Sequence, residues 1–143
     1  MNGPDDRVRR LYANTVHSVV LYGSPVWADA AMAAKRIRDI LRRVQRRVAI
    51  RCVRGYRTVS HVAAIALASQ PPMELLARLY ADVYMRRKEL RSMGTELTAR
   101  VKGITGLQAR QLLMERYDEY LSTKILPSSS GRRVVGAVRP HLK

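Results

Sequence analysis

The stretch AAMAAKRIRDILRRVQRRVAIRCVR, residues 30–54, decides the fold class because its apolar and basic residues separate on opposite sides of a helix. A helix turns about 100° per residue, so residues three and four apart share a face. One stripe contains Ile37, Ile40, Leu41, Val44 and Val48. The opposite arc, called the basic face below, contains Lys35, Arg36, Arg38, Arg42, Arg43, Arg46, Arg47 and Arg54. We therefore predict one helix over residues 30–54, with its apolar stripe in a core and its basic face in solvent.

Upstream of this helix, the same spacing predicts a first helix that contributes to the core. Its inward residues are expected to be Val8, Leu11, Tyr12, Thr15, Val19 and Tyr22. The helix breakers Gly23, Ser24 and Pro25 should end it, and Asp29 is a potential cap of the basic helix. Trp27 is expected to pack at this corner together with Tyr22.

Downstream, helix-ending and helix-starting residues divide the chain into further helices. Gly55 is expected to end the basic helix in a left-handed conformation. Ser60 should cap a short helix through Ala68, and Pro72 should begin a long helix that ends near Gly94. Its buried face is expected to contain Leu75, Leu76, Leu79, Tyr80, Val83 and Leu90. Residues 95–106 lose the apolar spacing, which predicts a loop or weak helix, and a last helix over 107–122 should turn Leu113, Met114, Tyr117 and Leu121 inward.

These segments predict an all-α fold, a small irregular bundle of four to five helices with a flexible basic C-terminal tail. A length of 143 residues suits one compact unit. We expect a main helical domain over residues 4–94 and a loop plus C-terminal helix over 95–126. Residues 127–143 have the composition of a Ser/Gly linker and a basic tail.

The charge balance predicts an anionic partner. Lys and Arg total 27 against 11 Asp and Glu, so the net charge is +16. Phosphate backbones, a membrane surface or an acidic protein would each satisfy this excess. Arg outnumbers Lys on the basic face, and its planar guanidinium group grips phosphate oxygens in pairs. The apolar stripe also lacks the Trp or Phe of a membrane-lying helix. RNA, DNA or an RNA–DNA hybrid is therefore the expected partner, and a membrane is not.

The basic face is the predicted binding site because nothing on the same helix neutralises it. Asp39 is the only acidic residue between Lys35 and Arg57, and like charges three and four apart repel each other. A merely solvated face is the alternative. The predicted nucleic-acid-binding residues are Lys35, Arg36, Arg42, Arg43, Arg46, Arg47, Arg54, Tyr56, Arg57 and Thr58. Tyr56 would stack on a base or sugar while Arg57 and Thr58 contact phosphate; alternatively, Tyr56 plugs the helix junction and Thr58 caps the next helix.

No set of residues predicts catalysis, a metal site or a cofactor. Cys52 is the only cysteine, so no disulfide framework or cysteine-rich zinc site is expected. His17, His61 and His141 have no partners at metal-ligand spacing; His17 is expected at the core boundary and the other two at the surface. The acidic start of the chain and the interrupted apolar stretches predict a nuclear or cytoplasmic protein, without a secretory signal or a membrane span.

Three short strings carry a family resemblance. They are LYGSPVWA at residues 21–28, YRTVS at 56–60 and PPMELLA at 71–77. Their order and spacing, with a basic helix between the first two, resemble the region after the palm in reverse transcriptases of arthropod LINE-type non-LTR retrotransposons, of the type that inserts into ribosomal DNA. The resemblance covers the chain from Val8 onward.

This resemblance implies a helical thumb or connector element that lies against the template–primer duplex. In the family, the palm carries the aspartates that hold the catalytic metal ions, and a separate domain cuts the target. Neither fits into this length, so we expect a non-catalytic fragment with no small-molecule substrate, whose palm is supplied by other sequence. The alternatives are a scaffold or interaction module that binds an acidic protein, and a non-functional remnant of a degraded element.

Overall fold

A computed structural model describes residues 5–125, which form six α-helices and no strand in this part of the chain. The helices are α1 (Asp6–Leu21), α2 (Ser24–Ala33), α3 (Lys35–Val53), α4 (His61–Leu67), α5 (Met73–Ser92) and α6 (Ala99–Ile125). The all-α prediction is confirmed, whereas the predicted count of four to five helices is wrong. The predicted linker and basic tail over 127–143 lie outside the described residues. No helix within 5–125 combines the length and the apolar character needed to cross a membrane.

The sixth helix arises because residues 30–54 are divided between α2 and α3. Ala34 has extended backbone angles, with φ −89° and ψ 110°, and it separates the two helices. Asp29 therefore lies inside α2 and caps nothing. Alanine is the best helix former, so the sequence around Ala34 contains no breaker that would predict this bend. The bend lets α2 pack on α5 while α3 contacts α1, α4 and α5.

The larger core cluster surrounds α4. Ala64, Ile65 and Ala66 are fully buried between Ala49 of α3 and Tyr117 and Leu121 of α6. Ser60 caps α4 as predicted, because its Oγ accepts a hydrogen bond from the Ala63 N–H at 3.3 Å. A second cluster of Leu21, Ala28 and Ala77 joins α1, α2 and α5, with Trp27 packed against it.

The last helix is longer than predicted. It begins at Ala99 and runs through Gly103 and Gly106, so only residues 95–98 form the expected loop. Two glycines cost a helix about 1 kcal/mol each relative to alanine, and packing of α6 against α5 offsets this. Of the residues predicted to face inward, Leu113, Tyr117 and Leu121 are buried, whereas Met114 is exposed.

The predicted inward face of α1 is on the wrong side. Val8, Leu11, Val19 and Tyr22 are exposed by 53, 66, 72 and 86% respectively, and Tyr12 and Thr15 are exposed too. The helix instead buries Ala13 and Leu21. Spacing shows which residues share a face, but the core also accepts a face of small residues when that face fits the neighbouring helices.

In α3 and α5, the buried side differs from the predicted side by a smaller rotation about the helix axis. The buried residues of α3 are Leu41, Gln45, Val48 and Ala49, whereas Ile37 and Ile40 are 41 and 47% exposed. In α5, Met73 and Ala77 are buried and Tyr80 is 49% exposed. The core side of α3 is therefore turned away from its two N-terminal isoleucines, towards Gln45 and Ala49.

The buried side chain of Gln45 explains this turn. It is 1% exposed, and its Nε2 donates to the Pro71 carbonyl at 2.6 Å. Its Oε1 accepts from the Met73 N–H at 3.0 Å and lies 3.3 Å from His61 Nε2. The first amides of a helix lack partners within the helix, so Gln45 caps α5 from a distance. It thereby joins α3 to the α4–α5 connection.

Replacing this side chain should weaken the whole bundle. We expect Gln45→Leu to lower the free energy of unfolding by about 2–3 kcal/mol, because the Pro71 carbonyl and the Met73 amide lose their partner. Chemical denaturation followed by circular dichroism measures this loss. Gln111→Leu, at an exposed position of α6, is the matched control and should change stability by less than about 0.5 kcal/mol. Equal stability of the two variants would show that the Gln45 bonds contribute nothing.

Candidate nucleic-acid interface

The outward side of α3 contains guanidinium groups without carboxylate partners. All 11 Asp and Glu of the chain lie between residues 5 and 119, within the described part. Arg36, Arg43 and Arg47 are exposed and form no ion pair or side-chain hydrogen bond with any residue of 5–125. We call these three the outer arginines. Their charges face solvent directly opposite the buried side of the helix.

Arg42 is also a predicted nucleic-acid-binding residue, but its guanidinium group forms an ion pair with Glu74 of the same chain. Its Nε lies 2.6 Å from Glu74 Oε1 and its Nη2 lies 3.3 Å from Oε2, with Asp39 at 3.8 Å. Burial disfavours the charged form of Arg42, but the hydrogen bond and the charge of Glu74 outweigh it and raise its pKa. The pair connects α3 to the first turn of α5, so Arg42 has a structural contact that sequence spacing did not predict.

The guanidinium group of Arg46 also has partners within the protein. Its Nε donates to the Val59 carbonyl at 2.8 Å, and its Nη2 donates to the Arg57 carbonyl. These bonds hold the α3–α4 connection against the side of α3. Arg42 and Arg46 lie on the flank of α3 that faces its neighbours, and the bond partners come from segments 11 to 32 residues away.

The α3–α4 connection places Arg54, Tyr56, Arg57 and Thr58 at the C-terminal end of α3. Lys35, at the other end of α3, is exposed, as are Arg54, Tyr56, Arg57 and Thr58. Tyr56 is 84% exposed, so it does not plug the junction, and Thr58 does not cap α4 because Ser60 does. The alternative structural roles of Tyr56 and Thr58 are therefore wrong.

The left-handed residue at this helix end is Arg54 and not Gly55. Arg54 has φ 53°, and the Gly55 N–H donates to the Ile50 carbonyl at 3.0 Å. This pattern closes a helix end in the manner of a Schellman motif. Gly55 does not have a positive φ, and a Cβ on residue 55 would make a tight contact of 3.3 Å with Val53 Cγ2.

A concave site lies beside this helix end. The cleft has a volume of about 700 Å³, and we call it the arginine cleft. Its lining consists of Arg46, Arg47, Ile50, Arg51, Arg54, Gly55 and Arg57. Five of these seven residues are arginines and none is acidic, so the cleft is suited to an anion.

Arg51 is the cleft residue that sequence reasoning missed. Its Nη1 donates to Tyr12 Oη at 2.9 Å, and its guanidinium carbon lies 5.8 Å from the centre of the Tyr12 ring. A cation over an aromatic face is attracted by the ring electrons. The contact joins α1 to α3 over 39 residues, and only the tertiary fold brings the two side chains together.

A second basic cleft of about 570 Å³ lies between α5 and α6. Its lining consists of Tyr84, Arg87, Lys88, Arg91, Ser92, Leu97 and Lys102. Arg87 donates to the Lys102 carbonyl at 3.3 Å and so joins the two helices. The run of basic residues at 86–88 was its one signal in the sequence.

Two of the three histidines, His17 and His61, lie in the described part of the chain. His61 is half-buried and not at the surface as expected; burial, and then the charges of Arg42 and Arg46, lower its pKa to about 4. His17 is half-buried at the core boundary as predicted, and burial lowers its pKa. His141 lies outside the described residues. Within 5–125, no cluster of His, Cys, Asp and Glu has the arrangement of a metal site.

Comparison with known proteins supports a retrotransposon origin for this chain. It is similar to a 115 kDa protein of the type-1 retrotransposable element R1DM from Drosophila melanogaster. The two are 38% identical over 89 residues, which is 60% of this chain. The matched stretch spans 8% of the length of that relative. No family model matches the chain, and no solved structure matches it.

The lowered pKa of His61 predicts a loss of stability in acid. The unfolded chain takes up a proton on His61 near pH 6.5, whereas the folded chain resists it down to about pH 4. The free energy of unfolding should therefore fall by about 1–2 kcal/mol between pH 7.5 and pH 5. Denaturant titrations at the two pH values measure this.

Two variants assign the effect to its source. His61→Gln should remove most of the pH dependence, and His17→Gln should remove less, because only His61 also faces two guanidinium groups. An unchanged slope in His61→Gln would contradict the assignment.

Proposed function

We propose that this chain is a non-catalytic, nucleic-acid-binding piece of a retrotransposon reverse transcriptase that contacts the template–primer backbone as a thumb-like element. The observation that carries this proposal is the row of outer arginines, Arg36, Arg43 and Arg47, which have no carboxylate partner among residues 5–125. Phosphates would supply the missing negative charge and release condensed counterions on binding.

The dimensions of α3 support a backbone contact. Its 19 residues extend over about 28 Å at about 1.5 Å per residue, close to one turn of a duplex of about 34 Å. Gln45 is the one amide side chain of α3, and it is buried. The outward side therefore offers guanidinium groups to phosphates and no amide that would bind adenine.

The similarity to the R1DM protein and the three strings at 21–28, 56–60 and 71–77 support the thumb-like role in an element of the ribosomal-DNA-inserting type. We propose that a palm from other sequence supplies the catalytic aspartates. The exposed apolar face of α1, with Val8, Leu11, Val19 and Tyr22, is the surface against which such a partner would pack.

The same apolar face favours a second candidate function, a module that binds an acidic protein. Tyr12 of α1 touches Arg51 of α3, so apolar and cationic surfaces adjoin there. A partner with both apolar and acidic side chains would cover them together. This candidate predicts no appreciable affinity for a nucleic-acid duplex, which separates it from the first.

Duplex binding should depend on salt and on the outer arginines. Fluorescence anisotropy with a labelled 20-base-pair RNA–DNA hybrid is expected to show log affinity falling with log salt by about 0.9 per phosphate neutralised. Arg43→Glu/Arg47→Glu should reduce affinity at least tenfold and reduce the slope by about 2, because two phosphate contacts are lost.

The control variant is Arg100→Glu/Arg110→Glu, which changes the net charge equally at exposed positions of α6. It should keep most of the affinity. If both double variants bind equally well, net charge alone drives binding and the proposed role of α3 is wrong.

A further inference from the structure

We propose that the arginine cleft binds one unpaired nucleotide. Its phosphate would contact the guanidinium groups, and its base would pack against the apolar part of the lining. The chain would then prefer a junction between duplex and single strand to a continuous duplex. This inference rests on the proposed function, since it names the nucleic-acid form that α3 recognises.

The shape of the arginine cleft favours a nucleotide over a lone phosphate. The outer arginines follow one side of α3, which suits contact along a backbone. The arginine cleft is concave and lies at the end of that row, where Arg47 belongs to both. Its volume of about 700 Å³ lies in the range of sites that enclose small organic ligands, about 300–1,000 Å³. A single phosphate group would fill only a small part of it. A base inside a duplex is stacked and paired, so only an unpaired one is available to enter.

The lining of the arginine cleft has both basic and apolar parts. The lining combines arginines, among them Arg47, Arg51 and Arg57, with Ile50 and Gly55. The methylene groups of the Arg side chains add to the apolar part of this lining. A nucleotide matches both parts, because it joins an anionic phosphate to a flat base, and guanidinium planes both bind phosphate and stack on bases.

Two arginines of the cleft lining already have partners within the protein. Arg46 is fixed by the carbonyls of Arg57 and Val59, and Arg51 is fixed by Tyr12. Two walls of the cleft are therefore already held in place by protein contacts. Fewer side chains lose freedom when a ligand enters such a site, which favours binding.

The exposed ring of Tyr56 extends the site along the strand. Tyr56 lies between Gly55 and Arg57, which both line the cleft, and it is 84% exposed. Aromatic rings at such positions stack on successive bases of single strands and tolerate any base. A neighbouring nucleotide of the same strand would meet this ring.

The test compares three forms of the same hybrid in fluorescence anisotropy with the full chain. The first has blunt ends, the second has a three-thymidine overhang of either polarity, and the third has an overhang of three abasic units. The abasic overhang keeps every phosphate and removes the bases. We expect the thymidine overhang of at least one polarity to bind five-fold or more tighter than the blunt form, and the abasic overhang to lose most of this gain.

Variants then locate the effect. Arg51→Gln/Arg57→Gln should abolish the overhang preference, so that the ratio of overhang affinity to blunt affinity falls to about one. Arg36→Gln, at the far end of α3, should weaken all three forms by the same factor. Circular dichroism and the thermal midpoint establish that each variant is folded.

The outcomes separate this inference from the proposed function. Equal binding of blunt and overhang forms, or an abasic overhang as good as thymidine, overturns the nucleotide cleft and leaves backbone binding by α3 intact. An overhang preference that survives Arg51→Gln/Arg57→Gln places the site elsewhere and also overturns the inference. Failure of every form to bind overturns the proposed function itself.

Discussion

The hydrogen bonds of buried Gln45 set the rotation of α3 about its own axis, and the rest of the molecule depends on that rotation. Its amide holds the Pro71 carbonyl and the Met73 amide at the start of α5. A buried polar side chain is stable only when it is satisfied, so α3 cannot turn without breaking these bonds. Arg42, one turn before Gln45 in α3, makes a bidentate contact with Glu74 that connects the same two helices.

This rotation gives different tasks to arginines on different sides of α3. Those on the flank, Arg42 and Arg46, are used inside the molecule, where they bind a carboxylate and two backbone carbonyls. Those on the outward side, such as Arg43, retain exposed guanidinium groups. An amphipathic helix therefore contributes both to the stability of the fold and to a surface suited to anions. The cleft at its C-terminal end lies where the two groups meet, since Arg46 lines it next to Arg47.

The apolar face of α1 is exposed to solvent in the bundle. Apolar side chains such as Leu11 and Val19 lie in solvent on a helix whose opposite side is packed. A large exposed apolar patch marks a surface that has a partner in many proteins. The matched stretch spans 8% of the length of the similar retrotransposon protein.

The sequence by itself determined the features that depend on local chemistry. These include the helical class, the Ser60 cap, the helix that begins after Pro72 and the inward positions of Leu113, Tyr117 and Leu121. Tertiary structure alone decided the bend at Ala34, the side of α1 that is buried and the contact of Arg51 with Tyr12. Caps and spacing act over three or four residues, and there the sequence is sufficient. Which face meets the core, and which arginine meets a carboxylate, depends on helices tens of residues away.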